Sequence, residues 1–370
     1  MDEIAGKVRL STDELEAGLS RFAQRSSASR GRELPEDPCG LRTPYARDRG
    51  RIVHCKAFRR LEHKTQVFIA PEGDHYRTRL THTLEVAGIA RSIARGLRLN
   101  EDLTEAIALG HDLGHTPFGH AGEKVMRELL EELGAGAFAH NEQSVRVVEV
   151  VENDGRGLNL TWEVRDGIRH HTGDVLPATL EGQIIRFADR IAYINHDIDD
   201  ALRAGLLTPA DLPSGPLAML GDTGSRRVDT LVHDLVDTSY ETGTIVQSPE
   251  IAKAMLDLRE FMFRTVYPQS LAQAGEKRVR HVITNLMEYF LAHPEEIREE
   301  RAVPGAHGEQ LTLEAAPWSA GTAAPGDGAD PAAARQVLIQ SVTDYISGMT
   351  DRYAVSRYRE LFEPRSWAAP

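Results

Sequence analysis

Residues 111–120 read His-Asp-Leu-Gly-His-Thr-Pro-Phe-Gly-His, and this stretch constrains the chain more than any other. Leu103, Ile107 and His111 recur at four-residue spacing, so a helix delivers His111 to a buried face with Asp112 beside it. Gly114 and Pro117 then break that helix and force a turn. Phe118-Gly119-His120-Ala121-Gly122-Glu123 opens a new helix running to about Leu133. Within its first turn His120 and Glu123 sit three apart and are neighbours. Three imidazoles and a carboxylate therefore crowd one reversal of the chain. Imidazole is the commonest metal ligand and titrates most easily near neutral pH. The stretch is expected to supply half of a metal site and most of the acid–base chemistry beside it.

The remaining sequence predicts an all-α fold. A helix begins near Thr78 and runs to about Leu97, with His82, Val86, Ile89, Ile93 and Leu97 on its buried stripe. Asn100 or Asp102 starts the helix that ends at His111. Further helices are expected over 46–66, from His140 to about Val151, over 161–171, from about Leu180 to Ala204, and over 228–241, 249–266, 268–293 and 332–349. Another follows Met349, and a short one capped at Ser11-Thr12-Asp13-Glu14 runs to about Gln24. Strand signal is confined to Gln66-Val67-Phe68-Ile69. Residues 205–226 read as a loop, and the Pro- and Gly-rich stretch 303–331 as an exposed linker or insertion. There is no internal repeat.

Several classes are excluded by composition. No apolar run approaches the about 18 residues of a membrane span, and the polar N-terminus carries no signal-peptide pattern. Cys39 and Cys55 are the only cysteines, so no disulfide framework is expected and the cytoplasm is the simplest location. The net charge of −13 argues against a stable nucleic-acid partner. That charge is uneven: residues 41–60 hold Arg42, Arg47, Arg49, Arg51, Lys56, Arg59 and Arg60 against the single acid Asp48. The segment is either a solvated basic face or an anion site, because guanidinium forks match phosphate oxygens.

Two inward histidines on successive helices, His82 and His111, make a partial coordination shell with Asp112. Asp189 is the best candidate to complete it. It stands in Ile184-Ile185-Arg186-Phe187-Ala188-Asp189-Arg190, an apolar setting where an unpaired carboxylate is costly. Imidazole and carboxylate ligands suit Mn, Fe, Zn, Ni or Co, and Mg less readily. The whole pattern, His82, then His111-Asp112, then a distant Asp189, resembles the HD phosphohydrolase superfamily, a helical fold that holds a metal through an H…HD…D signature.

A closer resemblance lies in Arg42-Thr43-Pro44-Tyr45-Ala46-Arg47-Asp48-Arg49, Ala57-Phe58-Arg59-Arg60-Leu61, Lys64-Thr65-Gln66-Val67-Phe68 and Arg77-Thr78-Arg79-Leu80-Thr81-His82. Residues 111–123, 188–201 and 349–354 extend it. These stretches are similar to the bacterial deoxyguanosine triphosphate triphosphohydrolase-like family, over roughly residues 40–300 and the C-terminal tail. The resemblance implies a multi-helix HD fold over 41–300 with C-terminal helices over 332–370 packing on it; residues 1–40, expected to be a flexible segment, and the linker or insertion over 301–331 lie outside it. It implies cleavage of a deoxynucleoside triphosphate (dNTP) into deoxynucleoside and inorganic triphosphate, with a divalent metal on His82, His111, Asp112 and Asp189. His120, supported by Glu123, is then the catalytic histidine, with His115 near the α-phosphate. A related animal dNTPase, which joins a SAM to an HD domain, implies that Arg79 and Arg190 contact phosphate. It also places Gln66 and Tyr193 at the sugar and Asp197 near the 3′-hydroxyl. Its second catalytic-region histidine aligns with Asn141, with His140 adjacent. Relatives are commonly oligomers, often hexamers, and the resemblance allows an allosteric nucleotide.

The sequence leaves open whether His120 gives a proton to the leaving 5′-oxygen or takes one from water. Two other readings stand beside the triphosphohydrolase. One is a different HD activity, on a nucleoside monophosphate, (p)ppGpp or a cyclic nucleotide. The other is a nucleotide-sensing regulatory protein, which the complete ligand set disfavours.

Overall fold

The computed structural model describes residues 14, 16–66, 77–267, 275–301 and 330–363. Among these the chain is all-α, with one isolated antiparallel bridge between Thr65 and Thr78 in place of any sheet. The short strand expected at 66–69 lies outside the described residues except for Gln66, as does most of the linker expected at 303–331; the helix expected from Ser11 to about Gln24 is helical among the described residues only as far as Ala17, and 18–24 are turns and irregular chain.

Helix starts follow their caps. The hydroxyl of Thr43 accepts from Ala46 N and opens α1 (Pro44–His54), with proline at its first position. Thr78 and Thr81 form a reciprocal capping box at the head of α3 (Arg79–Gly96). Asn100 caps α4 (Glu101–Gly110) through Leu103 N, and Thr179 caps α8 (Leu180–Arg203) through Gly182 N.

One expected helix is divided. The span 46–66 breaks at Cys55, whose backbone is extended (φ −73°, ψ 160°), and restarts as α2 (Lys56–Arg60). The buried carboxylate of Glu152 explains the break: it accepts from the amides of Lys56 (3.0 Å) and Ala57 (2.7 Å) and so caps a new helix there. Residues 205–226 are not loop throughout, because α9 (Ser214–Leu220) forms within them. Among the described residues no helix is long and apolar enough to cross a membrane.

Two separate apolar cores organise the chain. In the first, Ile52 of α1, Val86 and Ile93 of α3, Leu103 and Ile107 of α4, and Ile184 and Ile191 of α8 are fully buried together. Around it pack α7 (Trp162–His170), α10 (Gly224–Ser239) and α11 (Pro249–Thr265). In the second, Val125 and Met126 of α5 (Gly119–Glu132) meet Ile283 and Phe290 of α12 (Glu276–Ala292). Helix α13 (Pro294–Arg301) adds Ile297, α14 (Pro331–Ser347) adds Ile339, Val342 and Ile346, and α15 (Asp351–Phe362) adds Ala354. The stretch 111–120 crosses from one to the other: Leu113 belongs to the first core and Phe118 to the second.

Candidate metal centre and active site

His82, His111 and Asp112 converge where α3, α4 and α8 meet, each offering a ligand atom within 4.8 Å of the others. His111 is the C-cap of α4 and has no exposure. Its Nδ1 donates to the Ala108 carbonyl (2.6 Å), which fixes the tautomer and leaves Nε2 as a bare acceptor. That Nε2 is buried without a hydrogen-bond partner, 3.4 Å from Asp112 Oδ1. His82 Nε2 lies 3.0 Å from Asp189 Oδ1, and Asp189 retains about a quarter of its side-chain exposure. Burial alone would raise the Asp112 carboxyl, but the positive charge around it, with Arg79 in direct hydrogen bond, holds it well below the usual carboxylate range. Asp189 behaves alike: burial opposes its charge, yet the hydrogen bond and charge of His82 bring it down to about 2. An anionic Asp112 beside a lone pair that has no donor, with an anionic Asp189 on the neighbouring His82, is a donor set suited to a divalent cation.

The chain then turns tightly. Gly114 is obligatory, since a Cβ there would stand 2.2 Å from Ser144 N of the facing α6 (His140–Arg146). The Ser144 hydroxyl locks this approach, accepting from Gly114 N (2.8 Å) and donating to the His111 carbonyl (2.7 Å). Beyond the turn, His115 Nε2 lies 3.4 Å from Asp112 Oδ1, and the His115 ring stacks on His140 at 4.1 Å. Burial, then Arg79, push the His115 imidazole well below its ordinary value, so it is neutral.

Glu123 faces two histidines unequally. His120 Nδ1 stands 4.0 Å from Glu123 Oε2 without a hydrogen bond, and the His120 side chain is 63 % exposed. His140 instead gives Glu123 Oε1 a hydrogen bond from Nδ1 (3.0 Å) and another from its backbone N (3.3 Å). On its far side His140 Nε2 meets His171 Nε2 at 3.1 Å, while His171 Nδ1 donates to the Ile168 carbonyl (2.8 Å). His171 Nε2 must therefore accept, so His140 carries protons on both nitrogens. The pKa directions agree with this assignment. Burial disfavours the His140 cation, but Glu123 raises it above its ordinary value; burial likewise opposes the Glu123 charge, and His140 brings that carboxyl down to about 2. Burial takes His171 down to about 3.

The residues expected at the substrate are arranged as follows. Arg79 is 1 % exposed; its Nη1 donates to Asp112 Oδ2 (2.8 Å), and its Nε and Nη2 are buried without partners. Gln66 is buried with an unpartnered Oε1, and Arg190 is exposed. Tyr193 Oη accepts from Arg259 Nε (2.8 Å), and Tyr267 Oη donates to Asp197 Oδ2 (2.6 Å). The basic run at 41–60 is largely engaged elsewhere: Arg47 and Arg51 on Glu36, Arg49 on Asp102 and Glu105, Lys56 on Asp154, and Arg60 on Glu152. For those side chains the structure favours internal ion pairing over an anion site.

Residues 79–194 match the HD domain family, and 245–311 with 324–360 match the phosphohydrolase-associated domain. A deoxyguanosinetriphosphate triphosphohydrolase-like protein of Caldanaerobacter subterraneus is 51 % identical over 98 % of this chain and 97 % of its own. The chain belongs to the deoxyguanosinetriphosphate triphosphohydrolase-like family. Proteins of the same name from Desulfatibacillum aliphaticivorans and Clostridium perfringens are 45 % and 42 % identical, each over 94 % of this chain and 95 % of theirs. A solved structure of a hypothetical protein from Aquifex aeolicus aligns at a TM-score of 0.43 and 18 % identity, over 87 % of this chain and 69 % of that one. Membership of the family and the HD match make the chain a hydrolase of the HD type, with clustered donors able to hold a metal.

Sequence reasoning missed four members of the cluster or left their role open: His140, His171, Arg259 and Tyr267. His171 had a visible signal, lying one position past the last residue of α7 in the pair His170-His171. The pairing of Glu123 with His140 had none, because it depends on how α5 and α6 meet.

Proposed function

We propose that the protein hydrolyses deoxynucleoside triphosphates to deoxynucleoside and inorganic triphosphate, by attack of water at the α-phosphorus. The observation that carries this reading is Arg79: a fully buried guanidinium with one nitrogen on Asp112 and two left without partners beside the clustered donors. An uncompensated buried cation is costly, and a phosphate oxygen arriving at Nε and Nη2 would complete its fork.

His82, His111, Asp112 and Asp189 would hold the divalent cation. When bound it would polarise a phosphoryl oxygen and acidify water. The residues of the chain supply the rest. Arg79 orients the α-phosphate against the donor cluster. The neutral His115 accepts hydrogen bonds or donates them without adding charge. Glu123 keeps His140 cationic behind it, a fixed positive charge facing the polyphosphate. His120, whose side chain is open to solvent at the rim, gives the proton that the leaving 5′-oxygen requires. Tyr193 and Asp197, held by Arg259 and Tyr267 of the neighbouring segment, form the wall against the deoxyribose.

The deciding experiment incubates the purified protein with each dNTP and with Mn²⁺, Mg²⁺ or Co²⁺ and resolves the products. Tripolyphosphate with free deoxynucleoside is expected. Stepwise release of orthophosphate, or a deoxynucleoside monophosphate product, would sink the proposal and leave a different HD phosphohydrolase.

A further inference from the structure

The turn 115–120 carries two of the histidines on which the proposed chemistry depends, and its backbone is strained. Phe118 adopts the left-handed conformation (φ 65°, ψ 23°), rare for a residue with a Cβ, and Gly119 follows it at φ 58°. Such a conformation persists only where neighbours over-determine it. The neighbours here come from the far end of the chain. Asp351, the first residue of α15, accepts from Phe118 N through Oδ1 (2.9 Å) and from Thr65 N through Oδ2 (3.1 Å). Lys64, 2 % exposed, donates through Nζ to the His115 carbonyl and to the Ser347 carbonyl at the end of α14 (2.7 Å). A Cβ at Gly119 would stand 2.8 Å from the Gln66 carbonyl, so the segment holding Lys64 and Thr65 also closes on the turn directly.

The second proton-handling element hangs on the same helices. Asp344 of α14 accepts from Gln143 Nε2 (2.9 Å) and from Arg146 Nε (2.7 Å), both on α6, which begins at His140. Neither Asp344 nor Asp351 is among the clustered donors.

We propose that Asp351 is a positioning residue: its carboxylate, bridging Phe118 N and Thr65 N, fixes the left-handed turn and thereby sets the places of His115 and His120. On this view the C-terminal helices complete the site as well as the second core. The inference rests on the proposed hydrolase only through its activity readout.

The test uses the full chain loaded with Mn²⁺ and the variants Asp351→Ala and Asp351→Asn. Asp330→Ala serves as the control; it removes another helix cap of the same C-terminal unit, remote from the turn. All are assayed at a temperature where circular dichroism shows them folded. Asp351→Ala is expected to lower kcat about tenfold to a hundredfold with KM within about twofold, the signature of misplacement rather than lost binding. Asp351→Asn, which keeps one acceptor oxygen, should fall between it and the wild type, and Asp330→Ala should match the wild type. Amide exchange across 115–120 should quicken in Asp351→Ala while α3 and α4 keep their protection. Unchanged exchange at the turn, or a kcat within about twofold of wild type, would overturn the proposal. If Asp351→Ala does not fold, Asp351→Asn carries both readouts. A wild type that releases no tripolyphosphate defeats the proposed activity alone, and the exchange measurement still decides the role of Asp351.

Discussion

The two halves of the stretch 111–120 are held in different ways. His111 and Asp112 end a helix of the first core, and their partners His82 and Asp189 lie within two more helices of that core. Their places are set by burial of Leu103, Ile107, Val86, Ile184 and Ile191, and by local caps at Thr78, Asn100 and Thr179. His115 and His120 sit on a left-handed turn pinned by Asp351, 233 positions on from Phe118, and by Lys64, against the second core. The difference suits the two tasks proposed for them. A coordination shell needs fixed donors, which packed helices provide. Proton transfer needs a group that can meet a moving substrate, and His120 keeps most of its exposure.

The comparison breaks most severely if the helical half is damaged. Asp112→Ala removes a donor and leaves Arg79 as an unpaired buried cation, which costs about 3–5 kcal/mol of stability. Activity is expected to fall by about a thousandfold or more, and metal analysis should find little bound cation. Stoichiometric metal in this variant would remove Asp112 from the ligand set. The turn half should respond differently. Glu123→Gln is expected to retain metal while kcat falls about a hundredfold. His140, no longer raised by the Glu123 charge, would then lose its proton at lower pH, so the alkaline limb of the kcat–pH profile should move to lower pH. An unmoved limb would show that the His140 charge plays no part.

The same division explains what the sequence disclosed. The all-α fold, the starts at Thr78 and Asn100, and the inward faces of His82 and His111 are all local: they follow from caps and a 3.6-residue period. The break at Cys55 was not legible, because the cap that makes it, Glu152, is nearly a hundred positions away in sequence. For the same reason Glu123 reads as the partner of His120, three residues on, whereas the packing of α5 on α6 brings it to His140. The contacts of Asp344 and Asp351 were not legible either, because they form only where the terminal helices meet α6 and the turn.

A second comparison lies along α8, between Asp189 and Asp197. Asp189 is held anionic by His82, whereas burial takes Asp197 up to about 7 despite the opposing hydrogen bond from the Tyr267 hydroxyl and the charge of His82. The sign of the consequence is fixed. The native state keeps the Asp197 proton that the unfolded chain releases near pH 4, so this group makes stability fall as pH rises from about 4 to about 7. Asp197→Asn, which still accepts from Tyr267, is expected to raise Tm at pH 7 by several degrees and to change it little at pH 4. An equal Tm for variant and wild type at pH 7 would mean that a cation or another donor already neutralises the carboxylate.

The smallest effect should come from the basic run, which compares two kinds of arginine. Arg79 is buried with donors to spare, whereas Arg49 spends its guanidinium on Asp102 (3.2 Å) and Glu105 (2.9 Å) and is 39 % exposed. Exposed pairs of that kind contribute at most about 1 kcal/mol. Arg49→Gln is therefore expected to shift stability by less than that and to leave KM for a dNTP within about twofold, while Arg79→Gln raises KM at least about tenfold. The measurement separates charge that is merely present from charge that lacks a partner. A tenfold rise in KM for Arg49→Gln would mean that substrate displaces Asp102 and Glu105, and the basic run would again have to be counted as part of the anion site.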